Sequence, residues 1–381
     1  MSERTKVAPS PRLMHFGFVL TGLGTALLGP ILPLLSRQWH LQDSQSGLLL
    51  LAQFCGSFTG GVSVSRHLRR SLLLGLAAAA VGFGVFSAAP ILAMACIGLF
   101  IGGFGLGQII ASTNILAGRR YTEHRGSALA LLNFSWSFGA MLSPLLAAWL
   151  IPRFALREML ECFAALFLVG AMAMAAETWR ASEEIEVADH SSDGKGISRT
   201  IFIYFVGLLF LYGGLETCLS GWLTTYALRY GDKTLAVSEY TTLLLWMALT
   251  VGRAGSSVLM LRIGEKTVHR WALVLSVIFT TGLATAHSAA GIATCSVLLG
   301  LSLSPFFPST FALLMAEKPV ARQAGIVLAV SGLGAAALPW LMGVVSTQTG
   351  SLQIALALPL AAAIALLAMS LWPNTNRAMI G

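Results

Sequence analysis

Charge is what this chain of 381 residues has least of: Asp, Glu, Lys and Arg together make up 10% of it, against about 25% in soluble domains. So few charged side chains cannot cover a water-facing surface, which excludes a soluble globular protein. The five cysteines, Cys55, Cys96, Cys162, Cys218 and Cys295, show no CxxC spacing and all fall in apolar stretches. Neither a disulfide framework nor a zinc site is read from them. HExxH, GxSxG and paired aspartates are all missing, and His15, His67, His124, His190, His269 and His287 fall at the ends of apolar stretches or between them. These absences argue against an intramembrane enzyme, and no metal or cofactor is expected.

What is there is apolar. Hydrophobic residues make up 56% of the chain, in runs near the ~20 residues needed to cross hydrocarbon, which only helices can span with their backbone satisfied. Twelve runs are found, at Leu13 to Leu35, Ser46 to Val64, Ser71 to Ala89, Ile91 to Ala117, Gly126 to Ile151 and Leu160 to Ala176 in the first half. The second half holds Ile201 to Ala227, Tyr240 to Leu261, Trp271 to Ala286, Gly291 to Ala316, Ala324 to Val345 and Leu352 to Leu371. Twelve spans use roughly 250 residues, leaving short loops and no room for a soluble domain. The fold class expected is an all-α, polytopic membrane protein. The first run follows Arg4, Lys6 and Arg12 but is longer than a signal-peptide core and leads directly into more spans, so it is expected to be retained.

Orientation follows from the cations. Eighteen of the 24 Lys and Arg residues fall on one side of a twelve-span topology, among them Arg66, Arg69, Arg70, Arg119, Arg120, Arg125 and Arg262. Five fall on the other, namely Arg37, Arg153, Arg157, Arg229 and Lys233. By the positive-inside rule both termini are cytoplasmic in a cell membrane. The net charge of +8 is therefore an orientation signal; cations spread in threes over short loops do not form a nucleic-acid-binding domain.

The one long polar stretch, with Glu183, Glu184, Glu186, Asp189 and Asp193, reads as a cytoplasmic linker over residues 178–198. It divides a six-helix bundle at 1–177 from another at 199–381. The halves repeat: at an offset of 196, Gly56 falls on Gly252 and Arg66 on Arg262, and one residue further Ser112–Thr113 falls on Ser309–Thr310 and Arg125 on Arg322. Parallel repeats of this kind place a substrate site at their interface near the membrane middle.

Six spans, a linker, six spans and the loop after the second span resemble the major facilitator superfamily. That loop carries Gly61, Ser65, Arg66, His67, Leu68, Arg69 and Arg70 where the family has Gly, three residues, Asp, Arg, any residue, Gly and two basic residues. Ser65 stands in place of the acid and Leu68 in place of the glycine. The second copy, from Arg262 through Gly264 and Lys266, also lacks the acid. The resemblance implies a cytoplasmic gate built on Gly61, Ser65, Arg66, Arg69, Arg70 and Arg262. Three further stretches are similar to the fucose permease and glucose/galactose transporter branch: Tyr212–Glu216 with Trp222 and Tyr226, Ser304–Thr310, and Gly105–Gly107 with Asn114. Ile110 replaces that branch's acid four residues before the asparagine, and the first span has no Asp, so the branch's proton scheme does not carry over as it stands.

Ionisable groups at the bilayer centre are costly and usually face a cavity or a partner. Glu216 is the one acid well inside a span, and Arg253 the one deeply placed base. Counting along the helices sets them on opposite sides of the middle, where they meet only if both side chains reach. Glu216 reads as a substrate and proton-coupling site, or as a packing carboxylate bonded to hydroxyls such as Ser220; Arg253 reads as a solute ligand or an inter-helix bridge. Gln108, Asn114, Asn133 and Trp136 are solute-binding candidates, Asn133 and Trp136 being three apart on one face. Trp222 is a further candidate, although with Tyr226 it also fits an interface anchor, and Gln53 and Trp246 complete the polar set. Glycines four apart (Gly56 and Gly60, Gly98 and Gly102, Gly103 and Gly107) suit close helix approach. Gly213–Gly214 and Pro305 with Pro308 are expected to weaken their helices.

The function expected is secondary transport by alternating access in a monomer: uptake of a sugar or similar small polar solute with protons, sodium being the alternative ion. Export of an amphipathic compound, suggested by 20 Phe and 13 Met, an uncoupled facilitator and a transport-dead receptor are the alternatives.

Overall fold

The computed structural model describes residues 10–64, 68–120, 125–180, 196–231, 240–263, 265–317, 319 and 321–371. Regular structure among them is helical throughout: α1 (Pro11–Ala26), α2 (Leu28–Gln38), α3 (Asp43–Val62), α4 (Leu68–Ser87), α5 (Leu92–Arg120), α6 (Arg125–Leu150), α7 (Leu156–Arg180), α8 (Arg199–Tyr230), α9 (Thr241–Arg262), α10 (Glu265–Thr285), α11 (Ala289–Leu303), α12 (Phe306–Ala316), α13 (Ala321–Thr349), α14 (Leu352–Ala355) and α15 (Ala357–Ser370). Every expected span falls on one helix or on a tandem pair, the pairs being α1–α2, α11–α12 and α14–α15. Nine stretches among the described residues are long and apolar enough to cross a membrane. The other three expected spans are α3, α9 and α11–α12; Gln, Ser, Thr and Gly dilute α3, the side chains of part of α9 lie outside the described residues, and α11 stops at Leu303. Most of the expected linker, residues 181–195, lies outside the described residues.

Two compact units are present. The first takes in α1 as far as Thr25, Ala52–Ala140 and Trp149 to the end of α7; the second takes in Ala26–Leu51, Met141–Ala148 and everything described from Gly196 onward. In the first unit, helices meet backbone to backbone at glycines. A Cβ on Gly22 of α1 would lie 1.9 Å from the Trp136 carbonyl oxygen of α6, and one on Gly103 of α5 would lie 1.9 Å from the Gln53 oxygen of α3. No side chain fits at such distances, so the four-residue glycine spacing does serve close approach. Proline interrupts the helix formed by α1 and α2. Pro30 has no N–H for the Ala26 carbonyl and its ring crowds that carbonyl, so α1 ends there. Gln53 braces the end of α1 by donating from Nε2 to the carbonyls of Gly24 and Thr25, at 3.3 and 3.2 Å.

In the second unit α8 runs unbroken for 32 residues from an N-cap at Ser198, whose hydroxyl accepts the Ile201 N–H. The expected weakness at Gly213–Gly214 is absent. Those glycines serve packing instead: a Cβ on Gly213 would lie 2.2 Å from the Ser331 oxygen of α13, and one on Gly334 of α13 only 1.8 Å from the Phe210 oxygen of α8. Gly334→Ala is therefore expected to force α8 and α13 apart, costing about 1–3 kcal/mol and lowering the melting temperature of the purified protein. The break at the other expected place is real. Pro305 removes the donor for the Leu301 carbonyl, and the Ser304 hydroxyl supplies one at 2.7 Å, so α11 ends and α12 begins without an orphaned acceptor.

Candidate functional site

Glu216 and Arg253 meet. Arg253, in the middle of α9, donates from Nη2 to Glu216 Oε1 of α8 at 3.1 Å, and the side chains are 14% and 16% exposed respectively. Tyr212, one turn earlier on α8, donates its hydroxyl to the same oxygen at 3.0 Å. One carboxylate oxygen thus receives both a charged and a neutral donor, an arrangement that fixes its direction. The Tyr212 ring stacks on Phe306 of α12, with centroids 4.6 Å apart, and Phe306 lies 4.7 Å from the ring of His269 on α10. His269 is buried, with Nδ1 3.2 Å from Ser309 Oγ and 3.4 Å from Thr310 Oγ1. Four helices therefore contribute to one line of side chains from Arg253 to His269.

His269 was expected at a span end. It stands there, near the start of the stretch Thr267–Thr285, and it is also enclosed, because α10 begins at Glu265, ahead of the apolar run from which the span was read. A second polar cluster also has no counterpart in the sequence reading. Asp43, in the first turn of α3, takes both guanidinium nitrogens of Arg229 from the end of α8, at 2.6 and 2.5 Å, and the Ser346 hydroxyl of α13. Thr347 Oγ1 accepts the neighbouring Ser44 N–H at 2.8 Å. The partners are 186 and 303 residues apart in the chain, a separation that no spacing argument bridges.

The remaining candidates are dispersed. Gln108 of α5 is buried and donates to Ser63 Oγ at 2.9 Å, while Asn114 turns back to the Ile110 carbonyl of its own helix at 2.9 Å. Asn133 and Trp136 are half-buried on α6, and between them Ser135 Oγ lies 2.8 Å from His15 Nδ1 of α1. Trp222 and Tyr226 are not interface anchors. Each is 1% exposed, Trp222 donating to the Pro339 carbonyl and Tyr226 to that of Leu283; Trp222 presents no face to a solute in this structure. Trp246 is buried. Of the gate residues, Arg69 is buried and Arg70 exposed at the start of α4, and Gly61 is near the end of α3. Ser65, Arg66 and the side chain of Arg262 lie outside the described residues.

The sequence matches the family description "Major Facilitator Superfamily" over residues 14–324. The chain belongs to the major facilitator superfamily. It is accordingly a multi-pass membrane transporter and not an enzyme. Among curated relatives of this major facilitator are Bypass of stop codon protein 6 of Saccharomyces cerevisiae, 24% identical over 94% of this chain and 81% of that one. NiaP of Bacillus subtilis, a protein named for niacin and nicotinamide transport, is 23% identical over 84% of this chain and 82% of its own length. Among solved structures, FucP in its outward conformation has a TM-score of 0.63 and 18% identity, covering 96% of this chain and 99% of that one. A variant of the E. coli fucose:proton symporter FucP gives the same TM-score at 17% identity, covering 96% and 98%. At these identities the structural likeness shows the fold.

Proposed function

We propose that this major facilitator takes up a small polar solute, a sugar or a molecule of similar size, together with protons. The observation that carries the reading is the Glu216–Arg253–Tyr212 cluster: a carboxylate inside a membrane-spanning helix, held by a cation on the next helix. Such groups mark solute and proton pathways in membrane proteins. The relatives named above, one for niacin and nicotinamide and one for fucose with protons, support a small polar cargo. In this reading the halves at 1–177 and 199–381 rock against each other in a cell membrane with both termini cytoplasmic. Gln108, Asn114, Asn133 and Trp136 contribute solute contacts from the first half. Glu216 carries the proton.

The test is reconstitution into liposomes loaded with a pH-sensitive dye. Addition of sugars, nucleosides and pyridine derivatives one at a time is expected to yield at least one solute that drives inward proton movement; sodium-dependent, pH-silent uptake would refute proton coupling. The gate supplies a separate prediction. With Ser65 in place of the family's acid, the cytoplasmic gate is weakened, and Ser65→Asp is expected to reduce labelling, from the cytoplasmic side, of cysteines introduced along the pathway. Unchanged labelling would count against the proposed gate.

A further inference from the structure

We infer that Glu216 carries its proton on Oε2 and presents the resulting O–H to a lone-pair acceptor on the solute: a hydroxyl or ether oxygen, a carbonyl oxygen or a ring nitrogen. This rests on the reading above that Glu216 is the residue that takes the proton. Both donors to the carboxylate converge on one of its two oxygens. Tyr212 gives its hydroxyl to Oε1 at 3.0 Å, and Arg253 gives Nη2–H to the same atom at 3.1 Å. A carboxyl oxygen has two lone pairs to offer, so Oε1 is filled. A hydrogen added there would point at two hydrogens already in place. Among the described residues no donor reaches Oε2, and the Glu216 side chain is 16% exposed. The open oxygen is the one that receives the proton.

Protonation at Oε2 leaves the existing bonds as they are. The neutral acid keeps Oε1 as a carbonyl oxygen, which accepts from Tyr212 and Arg253 as before, while Oε2 turns from acceptor to donor. The polarity of that one atom decides the coupling. A solute acceptor facing Oε2 is repelled by the carboxylate lone pairs and bound by the acid, so solute and proton enter together. A solute N–H facing the same atom does the reverse and exchanges with the proton. Uptake with protons therefore selects the acceptor. A sugar hydroxyl can turn to play either part, whereas an ether oxygen, a carbonyl or a pyridine nitrogen can only accept.

The charged and titratable groups that face Glu216 are Arg253 from α9 and Tyr212 from its own helix. Among the other residues of the helices packed on α8, Arg37, Arg262 and Arg322 belong to the ends of α2, α9 and α13, and Cys295 of α11 is near Tyr226. No residue of α15 titrates. His269 of α10 is separated from Glu216 by the Tyr212–Phe306 stack.

The experiment titrates matched solutes onto the purified full-length protein between pH 5 and pH 8, reading melting temperature and dissociation constant. Galactose is compared with its monodeoxy derivatives, which lose acceptor and donor together, and with its mono-O-methyl derivatives, which keep only the acceptor. Nicotinamide is compared with benzamide, which lacks the ring nitrogen, and further polyols and pyridines are paired in the same way. At one position, loss of the acceptor is expected to weaken binding about tenfold at pH 5, the scale of one hydrogen bond, while the acceptor-only partner keeps its affinity. The dissociation constant of that partner is expected to rise about tenfold per pH unit above the point where Glu216 titrates, one proton being taken up per solute. In Glu216→Gln the amide N–H stands where the Oε2 hydrogen stood, and the same solute should bind at pH 8 with its pH 5 affinity. The solute series on the natural protein needs no variant to fold. A series in which no acceptor matters at pH 5, binding by donor-only solutes that strengthens toward pH 8, or binding by no member at all overturns the inference. Liposome uptake separates this from failure of proton coupling. If pH-driven uptake is abolished by Glu216→Gln yet deoxy solutes are carried as well as their parents, the hydrogen bond is sunk and the coupling stands. If the acceptor is required equally at pH 5 and pH 8 and uptake ignores a pH gradient, the coupling is sunk, and the proton on Oε2 with it.

Discussion

Glu216→Gln is expected to abolish uphill, pH-driven uptake while solute binding and equilibrative exchange continue. The substitution keeps the shape of the side chain and an oxygen that can accept from Tyr212 and Arg253, the two donors present in the structure. What it removes is the ability to gain and lose a proton. Because Glu216 is the one acid placed well inside an expected span, no second carboxylate at that depth can take over. The accumulation ratio under an imposed pH gradient should fall to unity, and counterflow of labelled solute should persist. Uphill uptake at full rate in the variant would mean either a facilitator or a different driving ion; sodium held by Asn, Ser or Thr oxygens and backbone carbonyls is the first alternative to examine.

A second large effect is expected at Asp43. Its carboxylate is 9% exposed, while the Arg229 side chain that covers it is 40% exposed. Removal of either partner is therefore not equivalent. Arg229→Met leaves a nearly buried carboxylate with only the Ser346 hydroxyl and is expected to cost about 2–3 kcal/mol, since an uncompensated buried charge is the expensive product of breaking such a pair. Asp43→Asn leaves a neutral amide that still bonds Ser346, and an arginine that reaches water; about 1 kcal/mol is expected, the usual net value of a hydrogen bond. Melting temperatures of the two variants decide it. A larger loss for Asp43→Asn than for Arg229→Met would show that the arginine, and not the acid, is the group held by this cluster.

Much of this was legible from residue order. Apolar runs located the helices because a lipid-facing helix has no polar face to hide, and Glu216 and Arg253 stood out because charge is so rare between those runs. Their pairing was not legible. It depends on the rotational setting of α8 and α9, which positions along a helix do not determine. Gly213 and Gly214 were misread because a glycine that loosens an isolated helix can tighten one packed against a carbonyl of its neighbour, and the sequence does not say whether a neighbour is there. Gln53 looked like one more amide for a solute. Only the bend after Ala26, caused by Pro30, reveals the backbone oxygens to which it donates. His269 was missed because hydropathy begins the tenth helix after Arg270, where the apolar residues start, while the backbone begins it at Glu265.

The glycine contacts between α8 and α13 have a mechanical consequence. Two helices locked carbonyl to glycine, at Gly213 against Ser331 and Gly334 against Phe210, have no side-chain cushion to shear, so they act as a single strut. Glu216 is attached to that strut three residues beyond Gly213, whereas Arg253 belongs to α9. Any tilt of the strut relative to α9 is therefore taken up as a change in the 3.1 Å separation of the ion pair, so the pair registers movement between the two helices as directly as a gauge fixed across a joint.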